Sequence, residues 1–383
     1  MALEARVTHH ESQSNAEVSS AAPETQPFAS QNPMVSIVIP MRNESKYIRS
    51  CLDSLVNQTF PPDKYEILVA DGRSSDNSRE LVSVYQGRTV SVRLLDNQSQ
   101  TTPAGMNLGI RAAAGEIIII AGAHTVYPVD FVENCVFWLD KTGADVVGGP
   151  VKTEVEGDHF GGRLASLILS SPFGVGDSRF RTSSKEGYVD TVPFGAYRRV
   201  ILDQVGPFNE KLVRNQDNDL SSRIRLAGGK IYLTSALTTT YIPLRSYAEL
   251  LRQAFSKSQW HILTLRENVH ALGFRHVCPA IFVISSVGLA LLSPWSSVAR
   301  LSLALLLSSY LLLGFWFAIR RETRDSALLR AFMPFACFLF HSAYGLGTFV
   351  GLRYLLVPTP VRTASHASAR QCKEDKGTIT IKP

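Results

Sequence analysis

Apolar residues fall into three regimes along this chain. From about Val35 to Tyr241, short apolar runs alternate with stretches in which apolar residues recur at helical spacing. From Val277 to Val357 they run almost without interruption. The stretch between carries a stripe of Tyr247, Leu250, Leu251, Ala254 and Phe255 among basic residues, with Trp260 at its end. In the first regime VSIVIP (Val35 to Pro40), YEILVADG (ending at Asp71 and Gly72) and VSVRLLD (Val90 to Asp96) predict strands. EIIIIAGAH predicts a fourth, and its four consecutive isoleucines are the pattern of a strand buried on both faces. Ile48, Leu52, Leu55 and Val56 predict an amphipathic helix after the first strand. SSDNSRELVSVY restarts a helix after the second, and PAGMNLGIRAAAG predicts one closed at Gly115. This alternation predicts an α/β fold built on a doubly wound parallel sheet. Ligands in such sheets sit at the carboxyl ends of strands, where Asp71 and His124 fall.

The alternation loosens after that. YVDTVPFGAYRR holds a short strand and VILDQVGPFNE a helix and a turn. The loop NQDND precedes a helix through Leu220, Ile224 and Leu226, stopped by Gly228 and Gly229.

Val277 to Ala299, Leu301 to Ile319 and Ala331 to Leu352 contain no Asp, Glu, Lys or Arg. About 20 apolar residues cross a bilayer as a helix, so three passes are expected. Pro334, Gly345, Gly347 and Gly351 make the third a candidate broken or re-entrant helix. The stretch before them reads as a helix lying in the headgroup layer. The expected layout is a disordered tail at 1–33, an α/β head at 34–243, an amphipathic interfacial segment at 244–276, a membrane region at 277–357 and a polar tail at 358–383. The first tail lacks the apolar run of a signal peptide, which predicts a head that stays on the side where it was made. Arg320, Arg321, Arg324 and Arg330 between the second and third passes would share that side. Three passes would place the basic residues of 358–383 on the other side, which the same tendency disfavours, so the side of that tail is left open.

The net charge of +6 is modest, and much of the excess sits near the apolar segments, at Arg252, Lys257, Arg266 and Arg275 among others. That placement points to anionic lipid rather than nucleic acid. The five cysteines show no C-x-x-C spacing, which disfavours a zinc or disulfide framework and agrees with a head facing the cytoplasm. No sequence feature specifies an oligomeric state.

VSIVIPMRNE, ILVADGRSSDNS, PAGMNLGI and NQDND, in that order, resemble the inverting family-2 glycosyltransferases of GT-A fold. VDTVPFGAYRR, AHTVYP and HSAYGLGTFVGLRY resemble more narrowly the bacterial exopolysaccharide, succinoglycan-type members with C-terminal membrane helices. The resemblance implies a hexosyltransferase of the inner membrane that takes a nucleotide sugar, most naturally a UDP-sugar, and a lipid-linked saccharide acceptor. It implies that Pro40, Arg42, Asn43, Glu44 and Asp71 line the nucleotide, with Ala121 and Gly122 beside it. It places His124 where the second contact to a divalent cation, Mn²⁺ or Mg²⁺, is expected, while Gly122 stands in place of the first, an aspartate. It assigns the general base to Asp217, with Gln216 where a glutamate is usual, and puts Gly195, Tyr197, Arg198, Gln216, Asp219 and Trp260 toward acceptor or phosphate. Arg199 belongs with Arg198 in this reading. Of the processive relatives' Gln-x-x-Arg-Trp motif only Trp260 remains, which argues against a long-chain polymerase. Two other readings share these motifs: a degenerate nucleotide-binding or partner protein of a glycan assembly complex, and a transferase acting on polyprenyl phosphate itself.

Overall fold

The computed structural model describes residues 33–155, 159–182, 185–244, 246–320 and 326–356. Residues 1–32 and 358–383 of the expected tails, with Arg245, Arg321 and Arg324, lie outside the described residues. The head begins β1 (Val35–Met41), α1 (Ile48–Val56), β2 (Tyr65–Asp71), α2 (Ser78–Ser83), β3 (Ser91–Asp96), α3 (Thr102–Ala112) and β4 (Ile117–Ile120). It continues β5 (Thr125–Val126), α4 (Phe131–Thr142), β6 (Val146–Gly148), β7 (Val151–Val155), α5 (Phe160–Leu169), α6 (Pro172–Val175) and α7 (Arg179–Thr182). It ends β8 (Gly187–Tyr188), β9 (Ala196–Arg198), α8 (Arg199–Val205), α9 (Gln216–Leu226), β10 (Ile231–Leu233) and β11 (Thr239–Leu244).

The main sheet has the order β3-β2-β1-β4-β9-β6-β10-β8. Its first four strands are parallel, but β9 runs antiparallel to both β4 and β6, and β8 antiparallel to β10. The expected parallel sheet is thus a mixed one. The alternating pleat loads both faces. Ile117 and Ile119 join Val35, Ile37 and Ile39 in one core, while Ile118 and Ile120 join Val38 and Leu68 in the other. Burial on both sides is why the isoleucine run tolerates no polar residue. The chain reverses its winding between β1 and β4, so a crevice opens beyond their carboxyl ends. A second sheet, β5-β11-β7, walls that crevice.

Two boundaries differ from expectation. Helix α3 stops at Ala112 rather than at Gly115: Ala113 is extended, and the next two amides are captured by Glu66 Oε1 and Ser36 Oγ, each at 2.8 Å. Leu226 is 63% exposed and does not join the buried face of α9.

Beyond the head lie α10 (Tyr247–Ser258), α11 (His261–Glu267), α12 (Phe274–Leu292), α13 (Ser297–Arg320), α14 (Ala327–Gly351) and α15 (Arg353–Leu356). Three helices, at 274–292, 297–320 and 327–356, are long and apolar enough to cross a membrane. The first starts ahead of the expected Val277. The third is continuous through Pro334 rather than broken. Its glycines serve close approach instead: a Cβ on Gly345 would sit 2.5 Å from Pro279 O, and one on Gly351 2.5 Å from Gln259 O. The apolar stripe of α10 is covered by protein rather than lipid. Leu250 and Ala254 pack with Leu164, Met333 and Phe340 of α5 and α14, and Tyr247 Oη donates to Ala336 O at 2.7 Å.

Candidate active site

A cavity of about 410 Å³ fills the crevice. Pro40, Arg42, Glu44, Ala121, Gly122, His124, Tyr197, Gln216 and Asp217 line it, together with Asn97, Thr101, Arg181, Phe194 and Tyr241. The loop after β1 is held by the loop after β2. Ser74 Oγ accepts from Asn43 N, Ser78 Oγ from Glu44 N (both 2.8 Å) and Asp76 from Ser45 N (3.1 Å). Burial alone would raise the Asp76 carboxyl, but the hydrogen bonds from Ser78 and Ser45 outweigh it and hold it below its ordinary value. Asp71 ends β2 fully buried, bonded to Ser74 Oγ at 2.5 Å and to Arg79 at 2.6 Å. Asp71 and Asn43 thus shape the loop that carries Glu44, and neither lines the cavity.

At the end of β4, His124 Nδ1 lies 3.0 Å from Glu44 Oε1, its ring packed on Tyr241 at 4.8 Å. The missing aspartate has a physical counterpart. A Cβ on Gly122 would meet Phe194 Cε1 at 2.6 Å and Thr125 Oγ1 at 3.0 Å. Phe194 therefore fills the space that an acid at 122 would need, and it does so with a φ of 48°, a strained backbone for an aromatic residue.

The loop before α9 turns through Asn215 at φ 64°, a conformation that asparagine tolerates, and Asp217 enters the cavity from the first turn of α9 rather than from the loop. Asp217 accepts no hydrogen bond from the described residues. The buried Gln216 Oε1 and Thr101 Oγ1 are likewise without partners among them. Burial lowers the Arg181 guanidinium from its ordinary value, and the Tyr241 and Asp217 side chains oppose that. Burial and then the Asp217 charge push the Tyr197 hydroxyl up.

Other expected residues point elsewhere. Asp219 is clamped by Arg223 at 3.0 Å and Asn268 at 2.9 Å. Arg198 reaches Leu139 O and Asp140, both at 2.9 Å, and Arg199 holds Gly115 O and Ala113 O at 2.8 Å. These two cations close the opposite end of β9 and do not line the cavity. Gly195 O accepts from Ile120 N within the sheet. Trp260 precedes α11 with its ring 5.9 Å from Tyr354, away from the cavity. Missed by the sequence reading are Arg181 and Tyr241, which stand in no recognisable motif and reach the site only through the tertiary fold.

Residues 36–206 match the description Glycosyl transferase family 2. The chain is similar to a dolichyl N-acetyl-alpha-D-glucosaminyl phosphate 3-beta-D-2,3-diacetamido-2,3-dideoxy-beta-D-glucuronosyltransferase of Methanococcus voltae, 26% identical over 327 residues, 83% of this chain and 97% of that protein. It is similar to the succinoglycan biosynthesis protein ExoA of Rhizobium meliloti, 25% identical over 313 residues, 81% of this chain and 92% of that protein. Its fold resembles the mannosyltransferase PcManGT from Pyrobaculum calidifontis, solved with GDP-Man and Mn²⁺ (TM-score 0.54, 19% identity, 84% of this chain and 90% of that one). Residues 36–206 are therefore a glycosyltransferase family 2 domain on a GT-A-type sheet, and the protein is a membrane-associated glycosyltransferase.

Proposed function

We propose that this enzyme transfers one sugar, with inversion, from a UDP-sugar to a saccharide carried on a membrane lipid, in exopolysaccharide or cell-surface glycan assembly. The head faces the cytoplasm and the three apolar helices cross the inner membrane. The observation that carries this reading is Asp217, a carboxylate with no hydrogen-bond partner among the described residues, lining a crevice that Arg181 and Tyr241 divide from a second cavity bordered by the apolar helices. An acceptor hydroxyl placed there gives its proton to Asp217 as its oxygen bonds to the anomeric carbon. The bond from that carbon to the donor diphosphate breaks on the opposite side, and the nucleoside diphosphate leaves with the electron pair. Gln216 in place of a second acid leaves no like charge beside the base.

No group of three or more His, Cys, Asp or Glu among the described residues could hold a metal ion alone. Glu44 and His124 converge, however, and a hard cation is commonly held by one or two protein groups plus substrate phosphates. That pair would hold Mn²⁺ or Mg²⁺ only together with the donor. The cation would neutralise charge on the leaving diphosphate.

Asp217→Asn tests the reading. Transfer should fall by about 10²-fold or more, the range for loss of a general base, with UDP affinity by calorimetry unchanged. Undiminished transfer would remove Asp217 as the base. The relatives' names support the lipid-linked acceptor: one acts on a dolichyl-linked sugar phosphate and another belongs to succinoglycan biosynthesis.

A further inference from the structure

Asp217 lines the crevice without a hydrogen bond from the described residues. Nothing steers its carboxylate directly, so its place follows from the backbone of the first turn of α9. Displacing a reacting group by about 1 Å costs about 10²-fold in rate, so the hold on that turn matters to the chemistry. Local capping does not supply it: Asn215 caps α9 at φ 64° and makes no side-chain cap bond.

The hold comes from one helix far along the chain. Asn215 and Asp219 stand two residues before and two after Asp217, and each is 2% exposed. Asn215 Nδ2 donates to Thr264 Oγ1 of α11 at 3.3 Å. Asn268 Nδ2, at the end of α11, donates to Asp219 Oδ1 at 2.9 Å. The segment that leads into the turn is fastened to the same helix, since Glu267 accepts from Lys211 Nζ at 3.1 Å and from Asn209 Nδ2 at 3.3 Å. The Thr264 hydroxyl is itself fixed, donating to Trp260 O at 2.7 Å.

His261, Thr264 and Asn268 are spaced i, i+3 and i+7, which puts them on one stripe of α11. His261 carries the stripe to the apolar helices. Its ring bonds Tyr344 Oη at 3.0 Å and Thr348 Oγ1 at 3.3 Å, both on α14. Thr264 is fully buried and His261 nearly so. Apolar side chains of the same shape would pack on that stripe without needing partners, so the polar groups act through the bonds they make. Those bonds link the third apolar helix, through α11, to the two residues that flank Asp217.

We propose that α11 is a strut that sets the position of Asp217 relative to the third apolar helix, with Thr264 and Asn268 as positioning residues for the base. This rests on the reading of Asp217 as general base and adds what places it. A lipid-borne acceptor has its height set by the bilayer. The strut ties the base to the same reference, because α14 is long and apolar enough to lie in the bilayer.

Kinetics of the full-length protein in detergent test this. Transfer is followed as UDP release from UDP-glucose, UDP-galactose and UDP-N-acetylglucosamine in turn, with a total lipid extract of the expressing cells as acceptor. Thr264→Val, which keeps the shape and removes the hydroxyl, and Asn268→Ala should each lower kcat about 10-fold or more. KM for the donor and UDP affinity by calorimetry should stay within about twofold of wild type, the pattern of an interaction that acts on the reacting geometry alone. Thr264→Ser, which restores the hydroxyl, should recover kcat to within about threefold, and Tyr344→Phe should lower it about threefold or more, the effect of one hydrogen bond. Unchanged kcat in the variant carrying both Thr264→Val and Asn268→Ala would overturn the strut. An equal loss in Thr264→Ser, or a parallel loss of UDP affinity, would also overturn it, since either marks a packing defect rather than a displaced base. Unchanged kcat in Tyr344→Phe would overturn the tie to the apolar helix. Asp217→Asn is measured beside these variants. Transfer kept there removes the base, whereas transfer lost there and kept in the α11 variants removes the strut alone.

Discussion

Asp217 and Asp219 stand two positions apart on α9 and meet opposite surroundings. At 3.6 residues per turn they are rotated by about 200°, so one faces the crevice and the other the helix packing. Asp219 is 2% exposed and bonded to Arg223 and Asn268. Asp219→Asn should therefore lower stability by about 1–3 kcal/mol, because the partly buried guanidinium of Arg223 loses its charged partner. Thermal melting would show this with UDP affinity kept, the reverse of the pattern expected for Asp217→Asn. Gly122 makes a second prediction at this scale. Gly122→Asp alone collides with Phe194, whose ring also packs on Tyr127 and Tyr241. Overpacking of this kind costs about 1–3 kcal/mol. Gly122→Asp with Phe194→Ala should recover the melting temperature and make UDP binding more dependent on Mn²⁺. Unaltered dependence in the double variant would remove His124 as a metal contact. The Gly122 substitution was readable from the motif. Its partner Phe194 was not, since the two are far apart in sequence and meet only across the sheet.

At the scale of elements, α10, α11, α12 and α14 hold head and apolar helices together. Gly345→Val would drive a side chain into Pro279 O and Val283 of α12, and should destabilise the protein by about 1–3 kcal/mol. Gly288→Ala meets nothing within 4 Å and serves as the silent comparison in the same melting experiment. His261 of α11 gives these contacts a pH dependence. Its ring bonds Tyr344 Oη at 3.0 Å and Thr348 Oγ1 at 3.3 Å. Burial, with the charges of His276 and Lys257 adding to it, pulls its pKa from 6.5 to about 3. Below pH 6.5 the unfolded chain takes up a proton that the folded chain refuses, so stability falls as pH drops from 6.5 toward 3 and gains nothing above 6.5. Melting temperature should decline between pH 6.5 and 5, and His261→Gln should flatten that decline. A profile identical in the two proteins would show that His261 is not the titrating group.

Across the whole molecule, the crevice at the ends of β1 and β4 and a second cavity share Arg181 and Tyr241, and residues of the apolar helices line the second. Close to Arg320 and Arg330 in the chain, Ala318 of α13 and Leu329 of α14 cluster with Leu164 of α5 in the head. The proposed orientation predicts that protease added to inverted membrane vesicles digests the head, whereas right-side-out vesicles protect it. Digestion in right-side-out vesicles with protection in inverted ones would reverse the orientation.

Local pattern alone determined the first strands, the order of strand and helix in the first half, the three apolar helices and the crevice-lining acid Asp217. These follow from periodicity and from short motifs, which are properties of neighbours in sequence. The antiparallel insertion of β9, the covering of α10 by α14, and the turning of Arg198, Arg199, Asp219 and Trp260 away from the site were decided by the tertiary structure. So was the meeting of Arg181 and Tyr241 at the crevice, drawn from α7 and β11. A charged side chain goes where its desolvation is best compensated, and for these residues that partner or cavity is assembled from segments far apart in the chain.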